Sequence, residues 1–384
     1  MKKKVLLLTA GVFSLLSSYS QSSNDVLNLL TQKKVINQQE ADSLRADAAI
    51  KQQQSYDKFN PLPLITSKGI VLSGFTQVRI QDFQQSGNYS GFDLRRARLD
   101  FNANVSKWWG FRVQYDFAAT PRLLDAYVDL KINDYFNVSF GQFKTPYDLE
   151  GLTPTRQFEF IDNSQVVSAL TARGGTGIPT DVIGNQQGYD DGIQISGKFI
   201  KLEDRSLIEY KAAVVNGSGL NTLENNHFKD VVGRLVFHPF KGIDFGGFVY
   251  NGTGFYNNAV VIPPAKTAIA DDHVRNRYGA EINIEYSGAS LRAEYIKGKD
   301  GSILRDGYYV SAGYFVFPKR LQLLYKVDTY NPNISSTKLV TTNYTTALNY
   351  YFYKNTRLQL AYTFRNEKIY VKNNLAVVQF QIGF

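Results

Sequence analysis

Apolar and polar residues alternate with period two at the carboxyl-terminal end of the chain. In residues 375–384 every second position is small or apolar, namely Ala376, Val378, Phe380, Ile382 and Phe384. Gln379 and Gln381 lie between them. Side chains alternate between the two faces of a β-strand, so this segment predicts a strand with one apolar and one polar face.

The same alternation recurs along most of the chain. Segments of about ten residues that alternate in this way and end in aromatic residues are typical of an outer-membrane β-barrel. The pattern predicts about sixteen antiparallel strands, an all-β transmembrane barrel. The predicted strands are 70–82, 92–104, 109–118, 122–131, 136–145, 189–200, 206–216, 229–238, 243–251, 275–287, 289–298, 306–316, 319–330, 340–352, 356–366 and 374–384.

The connections between these strands alternate between long and short. Short periplasmic turns and long outer loops are the rule in such barrels, although the outer connection at 118–121 is short. Residues 217–228 and 252–274 are predicted as long outer loops. The longest connection, residues 146–188, is expected to be functional because of its length. It is the third outer connection, which in barrels of this size commonly folds into the lumen, so we expect it to form the constriction.

The amino-terminal residues predict export. Three lysines, Lys2 to Lys4, precede an apolar stretch from Val5 to Leu16, and Ser18 and Ser20 suit a cleavage site. This pattern indicates a signal peptide over residues 1–20. No later stretch is apolar enough for a transmembrane helix, which leaves a periplasmic protein, a secreted protein or a barrel. The alternation selects an integral outer-membrane barrel over 65–384.

Residues 21–64 form a separate polar segment that predicts helices. Asn37 as N-cap and Glu40 three residues later match a capping box, with Ile36 as the hydrophobic staple. A short periplasmic helical hairpin is the favoured interpretation. A coiled-coil handle that helps a trimer assemble is the alternative.

Composition supports a barrel and narrows the chemistry. The chain has 25 Tyr and 26 Phe, which suit pleated surfaces and interfacial girdles. It has no Cys, which excludes disulfides, thiolate metal sites and a lipoprotein anchor. The net charge of +9 is only mildly basic for this length and does not indicate a nucleic-acid partner.

The sequence shows no catalytic or cofactor-binding set. The three histidines, His227, His238 and His273, fall on separate predicted connections, and none has metal-ligand spacing. The acidic pairs at 190–191 and 271–272 could bind Ca²⁺, but solvated loop charge is the favoured interpretation. We therefore predict neither an enzyme nor a cofactor.

Strand parity places several basic side chains in the lumen. Arg79, Arg96, Arg98 and Arg112 face inward on three neighbouring strands, and Arg234 faces inward farther along the chain. Arginines in a pore wall can select anions and phosphate. Alternatively, these arginines pair with inward acids such as Asp100 and Asp116. The sequence leaves both interpretations open.

A series of motifs in order along the chain resembles the phosphate-selective porin O/P family. The motifs are Leu94–Leu99, Leu124–Val128, Gly141–Tyr147, Phe160–Ile161, Val215–Gly217, Asp230–Leu235, Glu294–Gly298 and Asp328–Pro332. The resemblance implies sixteen strands, a homotrimer, and permeation of anions such as phosphate. It also implies an arginine ladder, for which Arg79, Arg96, Arg98 and Arg112 are candidates.

The resemblance further implies a lysine cluster at the constriction. Lys144 leads into the long loop, and Arg156 and Arg173 follow within it. The loop departs from a purely basic constriction because it also carries acids, which oppose strong anion selectivity. These acids are Asp148, Glu150, Glu159, Asp162 and Asp181.

The predicted function is passive diffusion of small anionic solutes, phosphate and polyphosphate among them, through a water-filled lumen. A general, weakly selective or sugar-permeable porin is the alternative. A further alternative is a barrel that transports nothing and acts as an adhesin or a scaffold. Phe384 is predicted to be an assembly signal that the barrel-assembly machinery reads.

Overall fold

The computed structural model describes residues 66–384 apart from 68, 85–89, 172–187, 225, 262–267, 336–338 and 369–370. Before residue 66 it describes only 31–33, 35–37, 40 and 44. The predicted signal peptide, residues 1–20, lies outside the described residues. The boundaries 21–64 and 65–384 stay predictions.

The described chain from residue 66 onward is almost entirely β-strand. The strands are β1 (Thr66–Ser67), β2 (Ile70–Phe83), β3 (Gly91–Asn104), β4 (Trp109–Asp116), β5 (Arg122–Lys131), β6 (Asn137–Lys144), β7 (Tyr189–Lys201), β8 (Ser206–Val215), β9 (Asp230–Phe240), β10 (Ile243–Val261), β11 (Ala268–Tyr286), β12 (Ala289–Asp300), β13 (Ile303–Phe317), β14 (Leu321–Asn331), β15 (Thr341–Tyr353), β16 (Thr356–Glu367) and β17 (Leu375–Gly383). Two short helices, α1 (Leu149–Leu152) and α2 (Gln165–Leu170), lie between β6 and β7.

The sheet closes on itself. Each strand from β2 to β17 pairs antiparallel with its neighbour in sequence, and β17 pairs with β2 from Leu375↔Phe83 to Gly383↔Phe75. The two-residue strand β1 only extends the edge beside β2. The predicted barrel of sixteen antiparallel strands is therefore confirmed, including the pairing of its first and last strands.

The two faces of the barrel wall differ as the alternation predicts. On β14, Leu323 and Tyr325 are 48% exposed on the outer face, whereas Gln322 and Lys326 are buried on the inner face. A barrel that spans a membrane needs an apolar outer band and can have a polar interior. The burial pattern therefore places Gln, Asn, Arg and Lys side chains in the lumen.

The short turns are built as their sequences predict. Ser287 and Gly288 connect β11 to β12, with Tyr286 paired to Ala289. Both turn residues have positive φ, 47° and 83°. Positive φ at both positions defines a type I′ hairpin turn, whose twist matches that of the flanking strands.

The predicted loop at 252–274 is wrong, because β10 and β11 continue through most of it. Each of these strands has 19 residues. Asn251-Gly252 has the sequence of a tight turn, but Asn251 pairs with Asn276 and Gly252 with Arg275 inside the ladder. Beyond Asn251, β10 pairs only with β11 among the described strands.

The predicted capping box is present in the amino-terminal segment. The Glu40 backbone N–H donates to Asn37 Oδ1 at 2.8 Å, and the Asn37 N–H donates to Glu40 Oε2 at 2.9 Å. These reciprocal bonds satisfy two donors at a helix start. Within the described residues, no helix is long and apolar enough to cross a membrane.

Candidate functional site in the barrel lumen

The connection between β6 and β7 crosses the inside of the barrel. The Gln165 N–H donates to Asp328 Oδ1 on β14 at 3.0 Å. Gln359 on β16 donates to the Glu159 carbonyl at 3.0 Å, and Gln381 on β17 donates to the Arg156 carbonyl at 3.1 Å. These strand side chains face inward, so the described part of the connection, residues 145–171, lies in the lumen. We call residues 145–171 the lumen loop.

Helix α2 attaches the lumen loop to the wall by apolar packing. Val166, Val167, Ala169 and Leu170 are completely buried. They belong to a cluster whose wall members include Val215, Val232, Phe248, Tyr250, Ile296, Tyr309 and Tyr330. Burying an aliphatic side chain stabilises a fold by about 1.5–3 kcal/mol, so this contact fixes the loop on the side of β8–β14.

Helix α1 is held by carboxylates at its amino-terminal end. Asp148 caps it, accepting from the Gly151 N–H at 2.7 Å. Glu294 on β12 accepts from the Leu149 and Glu150 N–H groups at 2.6 and 3.0 Å. Since unpaired N–H groups at a helix start need acceptors, Glu294 anchors α1 to the wall.

Glu150 connects the two helices of the lumen loop. Its carboxylate accepts from the Ser164 N–H at 2.8 Å and from the Ser164 hydroxyl at 2.9 Å. Burial raises the pKa of Glu150, while the Lys326 ammonium, 3.6 Å away, acts in the opposite direction. The loop is therefore folded by its own polar contacts as well as by the wall.

An open cavity of about 150 Å³ remains between the lumen loop and the wall on the side of β2–β7. It is lined by Ser73, Gly74, Phe75, Arg98, Asp100, Arg112, Gln114, Asp125, Lys144, Leu152, Pro154, Thr155, Arg156 and Tyr189. Four residues predicted from the sequence, Arg98, Arg112, Lys144 and Arg156, meet here. We call this space the wall cavity.

Two of its arginines are paired with carboxylates. Arg98 Nε lies 2.8 Å from Asp116 Oδ2, and both side chains are buried. Arg112 lies 2.7 Å from Asp100 and 3.3 Å from Asp125. For Arg98 and Arg112 the structure therefore realises the pairing interpretation, and neither arginine adds net positive charge to the cavity.

The other two basic residues at the cavity are Lys144 and Arg156. Lys144 Nζ donates to the Gly151 carbonyl at 2.9 Å and lies 5.9 Å from the ring centre of Tyr189. Arg156 is half-buried at the cavity. In the described part of the chain, no carboxylate is within ion-pair distance of its guanidinium. Arg156 therefore contributes an unbalanced positive charge to the wall cavity.

The other predicted residues lie elsewhere. Arg79 Nε contacts Asp93 at 2.7 Å, and Arg96 donates to Gln77 at 2.9 Å, both on the β2–β3 wall. Arg234 on β9 pairs with Glu281 on β11, away from the wall cavity. Arg173 lies outside the described residues.

Sequence reasoning missed Arg95. Gln77 pairs with Arg96 but Val78 pairs with Leu94, so Arg95 is the extra residue of a β-bulge. Strict alternation would place Arg95 on the outer face, yet it contacts Asp162 and Gln379 inside. The sequence does contain a signal, which is the adjacent pair Arg95 and Arg96. Strict alternation would put one of the two on the lipid face, where an arginine destabilises the barrel.

The buried Arg98–Asp116 pair leads to a stability prediction. Arg98→Gln leaves the Asp116 carboxylate buried without its partner, which costs about 3–5 kcal/mol. The folded band on an unboiled SDS gel should therefore convert to the unfolded position at a lower temperature than in wild type. Arg156→Gln, which breaks no ion pair, is the control and should behave as wild type. Equal conversion temperatures for all three proteins would contradict this account.

The described residues contain no group of three or more acidic or histidine side chains placed to bind a metal ion. His238 Nδ1 lies 2.6 Å from Asp244 Oδ1, a contact at the end of the barrel with the short turns. The barrel and its lumen loop are the architecture of a channel.

A closed sixteen-stranded barrel with a loop in its lumen defines this protein as an outer-membrane porin. Solved structures share the fold. OmpT of Vibrio cholerae in its trimer form matches 82% of this chain and 99% of its own, with a TM-score of 0.57 and 13% identity. An anion-selective porin from Comamonas acidovorans matches 82% and 99%, with a TM-score of 0.59 and 11% identity. The outer-membrane channel DcaP of Acinetobacter baumannii matches 84% and 100%, with a TM-score of 0.57 and 13% identity.

Sequence comparison identifies the family. Residues 66–242 and 257–383 match the family of phosphate-selective porins O and P, so the chain belongs to that family. No curated protein sequence matches it significantly. The protein is thus an integral outer-membrane porin.

Proposed function

We propose that this porin passes small anions, inorganic phosphate among them, in preference to cations, by passive diffusion through the wall cavity. The observation that supports the preference is Arg156. It lies at the cavity without a carboxylate partner in the described part of the chain. Around the cavity, Arg98, Arg112 and Lys144 balance the three carboxylates Asp116, Asp100 and Asp125 in charge, so Arg156 is in excess.

The mechanism is electrostatic. A positive charge at a narrow, low-dielectric passage raises the local anion concentration and lowers that of cations. Arg112, whose side chain is 31% exposed, still offers N–H groups to an anion that moves along the wall. Because one unbalanced charge lies among several ion pairs, we expect only a moderate preference for anions over cations. Salt should weaken this preference, since a charge is screened beyond about 10 Å at 0.1 M.

A selectivity measurement tests the proposal. In planar bilayers under a KCl gradient, the wild-type reversal potential should have the sign of anion permeation. Arg156→Gln should move it toward zero, and most strongly at low salt, because screening is weakest there. Lys354→Gln removes the same charge from an exposed short turn. Its reversal potential should equal that of the wild type.

Each other outcome has a definite meaning. A wild-type potential of the cation sign removes the anion preference. An unchanged potential in Arg156→Gln removes the role of Arg156 and favours a general, weakly selective porin, which the neutral Arg–Asp pairs would suit. A folded barrel with no conductance would favour the scaffold alternative.

We further propose that the porin is a homotrimer and has no catalytic activity. The family and the trimeric form of the V. cholerae structure support the trimer. The mass of the detergent-solubilised protein from light scattering would test it.

A further inference from the structure

Two lysines lie on the outer face of β12, near the end of the strand that is opposite the short turn at 287–288. Lys297 and Lys299 alternate with the buried residues Gly298 and Asp300, so both side chains point away from the lumen. Lys297 is half-buried and Lys299 is exposed. The outer face of a membrane barrel meets lipid, and a charged side chain there destabilises the barrel unless it lies near an interface.

The two lysines lie at the outer boundary of the membrane. Lys299 is about ten residues along β12 from the short turn, and a tilted strand of about nine to eleven residues spans the bilayer. Tyr295, the preceding residue on the same face, pairs with Tyr308 on β13, and their rings are 42% and 44% exposed. Tyr278 on β11 pairs with Lys297. Since aromatic residues of this kind form the interfacial girdle, the ammonium groups reach the layer of lipid headgroups.

The protein does not neutralise these two charges. Among the residues that the structure describes, no carboxylate is within ion-pair distance of either ammonium group. Asp306 on β13 pairs with Lys297 in the ladder, but its carboxylate accepts a hydrogen bond from the Tyr295 hydroxyl at 3.3 Å. Lys299 lies between uncharged residues of β11 and β13. Two cations beside one acid leave this patch of the outer face with a net positive charge.

We propose that Lys297 and Lys299 bind a phosphate group of the phosphorylated glycolipid that forms the outer leaflet of the outer membrane. We call these two lysines the lipid site. Clusters of basic side chains at a membrane surface bind anionic headgroups, and lysine binds phosphate as a point charge. Residues two apart on a strand are separated by about 7 Å, so two flexible lysine side chains can contact the same phosphate.

The position of the lipid site selects this lipid among the possible partners. The site lies at the end of the barrel that carries the long connections, and it is therefore in the outer leaflet. A second copy of the chain is the other possible occupant of an outer face. Packing of a copy over the lysines would bury two charges without partners, which is strongly destabilising. We therefore favour the lipid.

Binding of lipid A that carries both phosphates tests the proposal. Native mass spectrometry of the detergent-solubilised protein counts the lipid molecules that stay bound as the lipid is titrated. Lys297→Gln combined with Lys299→Gln should weaken this binding roughly tenfold, because each cation near an anionic headgroup contributes to the attraction. Lipid A without its phosphates should bind the wild type and this double variant equally.

Lys241→Gln combined with Lys354→Gln is the matched control. It removes the same charge from two exposed short turns at the other end of the barrel. Its affinity for phosphorylated lipid A should equal that of the wild type. Equal weakening in both double variants would show a general effect of net charge. No weakening in the Lys297 and Lys299 variant would show that the phosphates bind elsewhere. Either result overturns the proposal.

The lipid site faces away from the lumen, so this proposal is independent of the proposed passage of anions. The Lys297 and Lys299 variant should keep the wild-type reversal potential in KCl, and its heat-modifiable band on SDS gels checks that it is folded. Light scattering tests the other occupant. If the variant dissociates the assembly and binds phosphorylated lipid A as the wild type does, this face is a contact between copies and the proposal is wrong.

Discussion

Replacing Leu149–Thr171 with a short Gly/Ser linker should increase the single-channel conductance at least about twofold, because pore dimensions and lining groups set the rate of ion passage. The lumen loop fills the space opposite the wall cavity with α2 and its apolar contacts. The pairing of β2 with β17 does not involve the loop, so the barrel should still assemble. The conductance of single channels in KCl is the measurement.

The same linker inserted into the connection at 368–374 provides the control for added flexible chain. That insertion should leave the conductance at the wild-type value. Deletion channels with wild-type conductance would show that ions do not pass where the loop lies. The heat-modifiable band on SDS gels checks that both variants are folded.

Deleting Phe384 should sharply reduce the amount of folded barrel in outer-membrane fractions. Phe384 extends the last strand at the seam: its N–H donates to the Gly74 carbonyl at 3.0 Å, and the Gly74 N–H donates to the Phe384 carbonyl at 3.3 Å. Pairing at the seam between β17 and β2 removes the last free sheet edges. We therefore expect these contacts to form when the barrel closes, late in assembly. The sequence prediction gives Phe384 a second role, as an assembly signal, which the same deletion would remove.

Phe364→Ala is the control for this deletion. Phe364 is an exposed aromatic residue of β16 on the same outer face, and its loss should leave the folded yield near that of wild type. Refolding of the Phe384 deletion in detergent, without any machinery, separates the two roles of the residue. Normal refolding with low yield in cells would indicate recognition, and failure in both would indicate the seam itself. A normal yield in cells would contradict the prediction.

Most of the fold could be predicted from the sequence because a membrane barrel imposes period two on every strand. Alternation along the predicted strands 319–330 and 356–366 puts Lys326 and Arg357 on the polar face, and the structure buries both side chains inside the barrel. The rule has a simple physical cause, since one face meets lipid and the other water. The alternation rule fails where the two faces of a strand do not meet different solvents, as in β10 beyond Asn251.

The candidate site was less accessible to sequence reasoning. Parity could place Arg98 and Arg112 on one wall, but not decide whether they face solutes or Asp116 and Asp100. Ion pairs across strands depend on the register between neighbours, and a bulge such as that at Arg95 shifts that register without a turn or glycine to mark it.

The lumen loop was predicted to fold inward only from its length and its place as the third outer connection. Its contacts depend on tertiary structure: Glu294 must meet the start of α1, and Asp162 must reach Arg95 from across the lumen. No local pattern encodes such distant pairs. Arg156 could therefore be named as a candidate from the sequence, whereas the ion pair between Asp162 and Arg95 appears only in the structure.

The unequal strand lengths give the barrel an uneven rim. Strands β4 and β6 have eight residues each, whereas β10 and β11 have 19. Residues 252–261 of β10 alone would extend roughly 30 Å along the strand direction. Anything that approaches from the side of the long connections meets this hairpin before it meets the pore.

Such a hairpin is also the part of the wall that is least tied to its neighbours. Over residues 252–261 it pairs only with β11 among the described strands, and two strands by themselves have little independent stability. Gly252 and Thr253, at its base, still contact Asp230 of β9. Beyond them the strand pairs with β11 and not with β9, so variation can accumulate on this projection while the conducting path stays the same.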